Sequence, residues 1–428
     1  MTRRRWTILL GAIILGAGLL WTFFGREPIR EGQCRLARKR VDPDSPLMWL
    51  GDRHFTPLGG KPESVRDLPP GFDRPRYYMI ESGDKPVLIA ADYSQKLVRL
   101  CVDTDDDGIL SEERCFTARV NKESPVSGRR QQIGPISLIS RDSPGSVNDG
   151  FDVGCFREDI RGLLMPRAAY LRMGRIRLAG RTYRVAAVDG DYDGLFKSNL
   201  SLPLADHTLW ARPGCDVFAI DLDRNGTFEH SSRQDSEVFP LGKLAKVGDA
   251  YYAIDLAPDG SSLALSRTEP QFGALVLDTN DTGMELRLWS DAADQHLLYN
   301  FQWQLPPGKY TAIHAVLTAR DTSGDIWAFS SFAPVFAADC MGPLDLFTIE
   351  PGQTTSIRIG PPFVVKAQVQ TQTRADGRVV TISPVIVGCA GEHYSPAFRR
   401  NGELPPPVAF KIIDEKGTVL VSDKVGYT

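Results

Sequence analysis

Three times in this chain an apolar, strand-like segment runs straight into a loop where acidic or amide side chains take alternate positions and a glycine follows the third. The first loop has Asp103, Asp105, Asp107 and Gly108, the second Asp189, Asp191, Asp193 and Gly194, and the third Asp221, Asp223, Asn225 and Gly226. The segments leading in are Leu97 to Val102, Arg181 to Val188 and Val217 to Ile220. They are short and rich in β-branched and apolar residues, which predicts strands rather than helices. The chain must therefore fold so that sheet ends present these loops.

Alternate positions let the side chains of a curled loop converge on one point, and the glycine permits the sharp reversal that follows. The next residue, Ile109, Leu195 or Thr227, offers a backbone carbonyl, and the apolar residue after it, Leu110, Phe196 or Phe228, anchors the loop to the core. Two carboxylates about 4 to 5 Å apart repel by roughly 1 kcal/mol in water and by more when partly buried, so the loops call for a cation. An all-oxygen, flexible donor set suits Ca2+ better than Mg2+, which demands tight octahedral geometry. The competing reading is a set of metal-free Asx-turns at hairpin corners. At the twelfth loop position, where a bidentate Glu would close a calcium loop, stand Arg114, Leu200 and Ser232. Other acids lie near: Glu112 and Glu113 beside the first loop, and Glu229, Asp235 and Glu237 beyond the third. A fourth stretch, Asp278, Asn280, Thr282 and Gly283, has the spacing but only one carboxylate at the alternate positions.

The rest of the chain carries the same β signature. Thirty prolines and 39 glycines are spread along 428 residues, as expected for many turns between short strands. The fold class expected is mostly β, a multi-domain β-sandwich-type architecture after one N-terminal transmembrane helix. Residues 1–26 read as a membrane anchor or signal peptide, and 27–76, rich in Pro, Gly and charge, as a stalk with little regular structure. Residues 77–174 form a β domain with the first loop, and 175–270 a β domain with the second and third. Residues 271–428 form a C-terminal β-sandwich region of one or two modules.

The expected helix is the uncharged run Trp6 to Phe24, preceded by Arg3, Arg4 and Arg5. Nineteen residues can span a bilayer core, and the arginine cluster keeps the N-terminus cytoplasmic. No small-residue cleavage pattern follows Trp21, so an uncleaved anchor is favoured over a signal peptide. Either way the body is exported, membrane-anchored in the first case, to the periplasm or cell surface. Seven cysteines without a CxxC pair fit that oxidising setting. Cys101 and Cys115 bracket the first loop and are placed to staple its stems, Cys340 and Cys389 could pair in the last domain, and Cys34 is the candidate unpaired thiol.

A net charge of −3 provides no basic field for nucleic acid. The six histidines form no HxH or HExxH arrangement, and no GxSxG elbow or P-loop occurs. His207 beside Asp206 is the one histidine to watch as a base. Trp289, Trp303, Trp327 and Tyr310 could line a sugar-binding face, or serve as core and edge-strand aromatics.

The Asp loops resemble the calcium-binding half of EF-hand, dockerin and thrombospondin-repeat modules, over about a dozen residues each. Leu305-Pro306-Pro307-Gly308-Lys309-Tyr310 is similar to the turn into a strand of transthyretin-like and carboxypeptidase-regulatory-like sandwiches. Tyr183 to Gly194 with Asp216 to Gly226, then Gly360-Pro361-Pro362, Tyr394 and Pro405 to Phe410, together resemble a loosely defined set of bacterial envelope proteins. That resemblance implies calcium and a β fold and brings no activity with it. The function expected is thus a calcium-binding, membrane-tethered extracytoplasmic protein, structural or partner-binding, with an envelope protein or polysaccharide as partner. The alternatives are a secreted hydrolase or carbohydrate-active protein, and an adhesin.

Overall fold

The computed structural model describes residues 30–41, 55, 57–82, 85–120, 130–136, 151–156, 164–202, 215–229, 237–279, 283–298, 300–332, 341–374, 377–395, 398–406, 409–413 and 415–424. Strands make up 55% of the described residues, which contain no α-helix. None of their helices is long and apolar enough to cross a membrane. The expected transmembrane run Trp6 to Phe24 lies outside the described residues, as do His207, Asn280, Thr282 and Cys340.

A five-stranded antiparallel sheet organises the first two-thirds of the chain. Its order is Val238–Pro240, Val217–Ile220, Arg181–Val188, Tyr170–Leu178 and Ala37–Arg40. Alternate residues of each strand point to opposite sides, and the residues on both sides are apolar and buried. Ala186, Val188, Val217 and Ala219 pack with Tyr78, Ile89 and Leu100 of the preceding unit. Tyr183, Val185, Phe218 and Ile220 pack with Tyr252, Leu263 and Leu265 of the following one. Two-sided burial explains why Val217–Ile220 reads as a continuous apolar run. The units expected to meet near residue 174 thus share one sheet.

On one face lies the sheet Pro75–Ser82, Lys85–Asp92, Arg99–Val102 and Cys115–Thr117, with a second sheet formed by Leu164–Ala168, Phe151–Phe156, Arg130–Ile136 and Arg119–Val120. On the other lies the sheet Gln33–Arg35, Ser262–Thr268, Ala250–Leu256 and Leu244–Val247.

The segment expected as an unstructured stalk is therefore partly strand. Gln33–Arg35 pairs with Ser262–Thr268, Ala37–Arg40 pairs with Tyr170–Leu178, and Leu36 between them is buried in the core. Further along, Val65 and Phe72 pack with Tyr77, Leu88 and Leu110. Gln33–Arg35 and Ala37–Arg40 are both short, polar or charged edge strands, whose composition resembles a linker.

The C-terminal region is a sandwich. Gly273–Asp278 lies between Gln302–Leu305 and, in parallel, Thr354–Arg358. A second sheet is built on Gly283–Ser290, Gly308–Arg320 and Ile326–Phe332. Leu275, Leu286, Tyr310 and Leu317 fill the space between them. Tyr310 is fully buried, donating its hydroxyl to the Pro306 carbonyl at 2.6 Å, which places it in the core and not on a sugar-binding face. Two hairpins, Val364–Arg374 with Gly377–Val387 and Ala409–Ile413 with Val419–Lys424, complete the described chain.

Candidate metal centre

Each Asp loop begins directly after the last residue of a strand, and the three are built alike. The first aspartate is buried: Asp103, Asp189 and Asp221 are 5%, 3% and 2% exposed. Its Oδ2 accepts the N–H of the glycine five positions on, from Gly108 at 3.1 Å, Gly194 at 2.8 Å and Gly226 at 3.0 Å. The side chain at the fifth position accepts the N–H two residues on: Ile109 to Asp107 at 2.7 Å, Leu195 to Asp193 at 2.6 Å, Thr227 to Asn225 at 2.7 Å. The fourth residue of each loop, Asp106, Tyr192 or Arg224, takes a positive φ, as does the glycine. The spacing read from the sequence is thus a set of local hydrogen bonds that curls the loop inward.

In all three loops the other oxygen of the first aspartate, Oδ1 of Asp103, Asp189 and Asp221, is buried without a hydrogen-bond partner. A buried unsatisfied acceptor costs about 1 to 3 kcal/mol, and a charged one more. One such atom is a defect; the same atom in three loops is a shared design. Three sets of carboxylate oxygens gather there within 4.8 Å of one another: Asp103, Asp105 and Asp107; Asp189, Asp191 and Asp216; Asp221, Asp223 and Glu237.

A carboxylate beyond the loop turn accepts the N–H of the residue that follows the first aspartate in each loop, and at the second and third sites this carboxylate, Asp216 or Glu237, also joins the oxygen cluster. Glu113 accepts from Thr104 N–H at 2.6 Å and from its hydroxyl at 2.7 Å. Asp216 accepts from Gly190 N–H at 3.2 Å and, on its other oxygen, from Ser198 N–H at 2.9 Å. Glu237 accepts from Leu222 and Asp223 through one oxygen and from Glu229 N–H, at 3.2 Å, through the other. Glu112 is exposed, and its N–H donates to the Ile109 carbonyl at 3.2 Å.

Glu237 stood in the sequence only as one of several acids near the third loop, and Asp216 only as part of a motif. The signal for Asp216 was the pattern Asp216-Val217-Phe218-Ala219-Ile220-Asp221, a four-residue strand with an acid at each end; Glu237 carried none. Antiparallel pairing of Arg181–Val188 with Val217–Ile220 brings Val188 opposite Val217 and Val185 opposite Ile220. The second and third sites consequently lie at opposite ends of one strand pair.

Exposure separates the sites. Asp189, Asp191 and Asp216 are all buried, whereas Asp105 and Asp223 are open to solvent. Burial, and then the neighbouring carboxylates, push Asp189 and Asp216 well above the usual carboxylate range. Burial also raises Asp103 and Glu237, against the N–H groups that stabilise their charge. Without a cation, burial favours the neutral, protonated form of these carboxylates over the charged one. Donors that are all oxygen, with an unsatisfied oxygen aimed inward, fit a hard metal ion.

The first loop is also clamped. Cys101 and Cys115 stand directly opposite each other on its two stems and form a disulfide. Cys34 is a half-buried free thiol, pushed up to about 11 by burial. Comparison with protein-family models, with curated proteins and with solved structures returns no match to this chain.

Proposed function

We propose that this chain is a calcium-binding extracytoplasmic protein, tethered to the membrane by its N-terminal apolar run, with a structural or partner-binding role in the cell envelope. The observation that carries the calcium reading is the unpartnered, buried Oδ1 of Asp103, Asp189 and Asp221. Calcium is favoured over magnesium because the oxygens come from flexible loops and a separate closing residue, a set that accommodates six to eight ligands. The Cys101–Cys115 disulfide supports an oxidising compartment. Asp, Asn and Glu side chains held at strand ends favour a structural ion over a catalytic one, and bound calcium would stabilise by mass action.

The test is thermal unfolding of the full chain in excess chelator, then in millimolar calcium, with magnesium as control. A rise in Tm of several degrees specific to calcium is expected. Equal curves in all three conditions would overturn the reading.

A further inference from the structure

We propose that a divalent cation in the second site locks the C-terminal sandwich onto the central and outer sheets, so that occupancy of this site sets the junction between the two halves of the molecule. The inference rests on the cation reading above and extends it to one site in particular.

Asp216 is the closing residue of the second site, and its backbone is also a junction. Its N–H donates to the Ser198 carbonyl at 2.9 Å, and its own carbonyl accepts from Leu241 N–H at 2.7 Å. The Leu241 carbonyl in turn accepts from Leu200 N–H at 2.8 Å. The segment 198–202 and the link at Leu241 are thus both pinned to one aspartate. Both touch the sandwich. Leu200, Leu202 and Cys215 form a small apolar cluster against which Trp289 of the sandwich packs. Immediately after Leu241, Lys243 N–H donates to the Asp291 carbonyl at 3.3 Å and Leu244 N–H to the Ala292 carbonyl at 2.7 Å. Lys243 Nζ also pairs with Asp291 Oδ2 at 3.3 Å. Gly242 approaches so closely that an added Cβ would stand 2.8 Å from the Ala292 carbonyl.

A cation draws the Asp216 carboxylate toward Asp189 and Asp191 and holds it there. Without one, nothing bridges the buried Asp189, Asp191 and Asp216 carboxylates, and any that are ionised repel each other in a poorly screened setting. Asp216 then swings away, and the Gly190 and Ser198 N–H groups lose their acceptor. The segment 198–202 and the Leu241 link lose the residue that positions both against Trp289 and the 290–293 turn. Among the described residues, the first and third sites, at the Cys101–Cys115 stems and at the far end of Val217–Ile220, show no such connection and serve as internal controls.

The experiment is hydrogen exchange of the full chain, with bound calcium counted in the same samples. Chelation is expected to speed exchange at the amides of 198–202 and 241–244 by about tenfold or more, while Ala250–Leu256 in the outer sheet stays protected. Calcium leaving with no change at those amides would overturn the coupling and leave the cation reading standing. Protein that never holds calcium would overturn both.

Trp289→Ala approaches the link from the other side. Linkage is reciprocal, so this variant should weaken one of three calcium sites by about 5- to 10-fold and leave two unchanged. Three unchanged affinities would refute the coupling without touching the metal ligands.

Discussion

The Gly190 N–H donates to Asp216 Oδ1 at 3.2 Å across 26 residues of chain. The same relationship joins Thr104 to Glu113 and Leu222 to Glu237. At the second and third sites the carboxylate that accepts this N–H also lies with the loop carboxylates, within 4.8 Å of them. At the second site this supplies what the residue at the twelfth loop position does not, since Leu200 brings no carboxylate.

Closure by a distant acid can be tested at the third site. Glu237→Gln keeps an oxygen to accept the Leu222 and Asp223 N–H groups while removing one negative charge. We expect Val217–Ile220 and Val238–Pro240 to remain paired and one calcium site to weaken by about 10- to 100-fold, as measured by titration calorimetry. Unchanged binding at all sites would remove Glu237 from the ligand set.

The calcium-dependent gain in Tm should shrink as pH falls. Asp189 and Asp216 are raised in the metal-free fold above an unfolded value of about 3.9. Between that value and the raised one, the folded state binds more protons than the unfolded state. Their contribution to stability therefore falls as pH rises through this window and recovers on acidification. Calcium requires the same groups ionised, so acid works against it. Melting curves with calcium and with chelator from pH 7 to pH 5 should converge; a constant gap would exclude these two carboxylates as ligands.

Replacing both Cys101 and Cys115 by Ser should cost about 3 kcal/mol, the entropy of closing a loop of this size. Denaturant unfolding measures it. The variant should also weaken the first site and leave the other two unaltered, because only the first has its stems clamped. Equal loss at all three would mean that the disulfide acts on the whole fold.

Gly108→Ala and Gly180→Ala separate backbone conformation from close packing. Both glycines have nearly the same φ, +75° and +76°, but a Cβ on Gly108 would lie 2.0 Å from the Ser64 carbonyl, whereas Gly180 has nothing within 4 Å. Gly180→Ala should cost about 1 to 2 kcal/mol from the left-handed conformation alone. Gly108→Ala should cost clearly more in the same denaturation assay and should disturb the first calcium site. Equal costs would show that the segment around Ser64 yields freely.

The reach of sequence reasoning follows the range of the interactions. Arg181–Val188 and Val217–Ile220 were legible to the residue, since an apolar run ending at an aspartate marks its own boundary. So were the loops, whose curl depends on contacts within six positions. Asp216 and Glu237 were hidden as closing groups because only antiparallel pairing brings them to loops that begin 27 and 16 residues earlier. The strands at Gln33–Arg35 and Ala37–Arg40 were hidden for a related reason. Their partners lie more than a hundred residues away, and their own side chains are mostly polar.

Those two strands impose an order on how the molecule can be completed. A ribosome releases Gln33–Arg35 long before Ser262–Thr268, its partner across more than two hundred residues. Ala37–Arg40 must similarly wait for Tyr170–Leu178. The earliest segment of the body therefore stays unpaired until most of the chain exists, and joining such distant segments is slow. Through that interval the exposed edges of both sheets are open to a wrong partner. The N-terminal residues that look like a loose leader are thus locked in place late relative to their own position, and a chain shortened before Ser262 leaves Gln33–Arg35 without its partner strand.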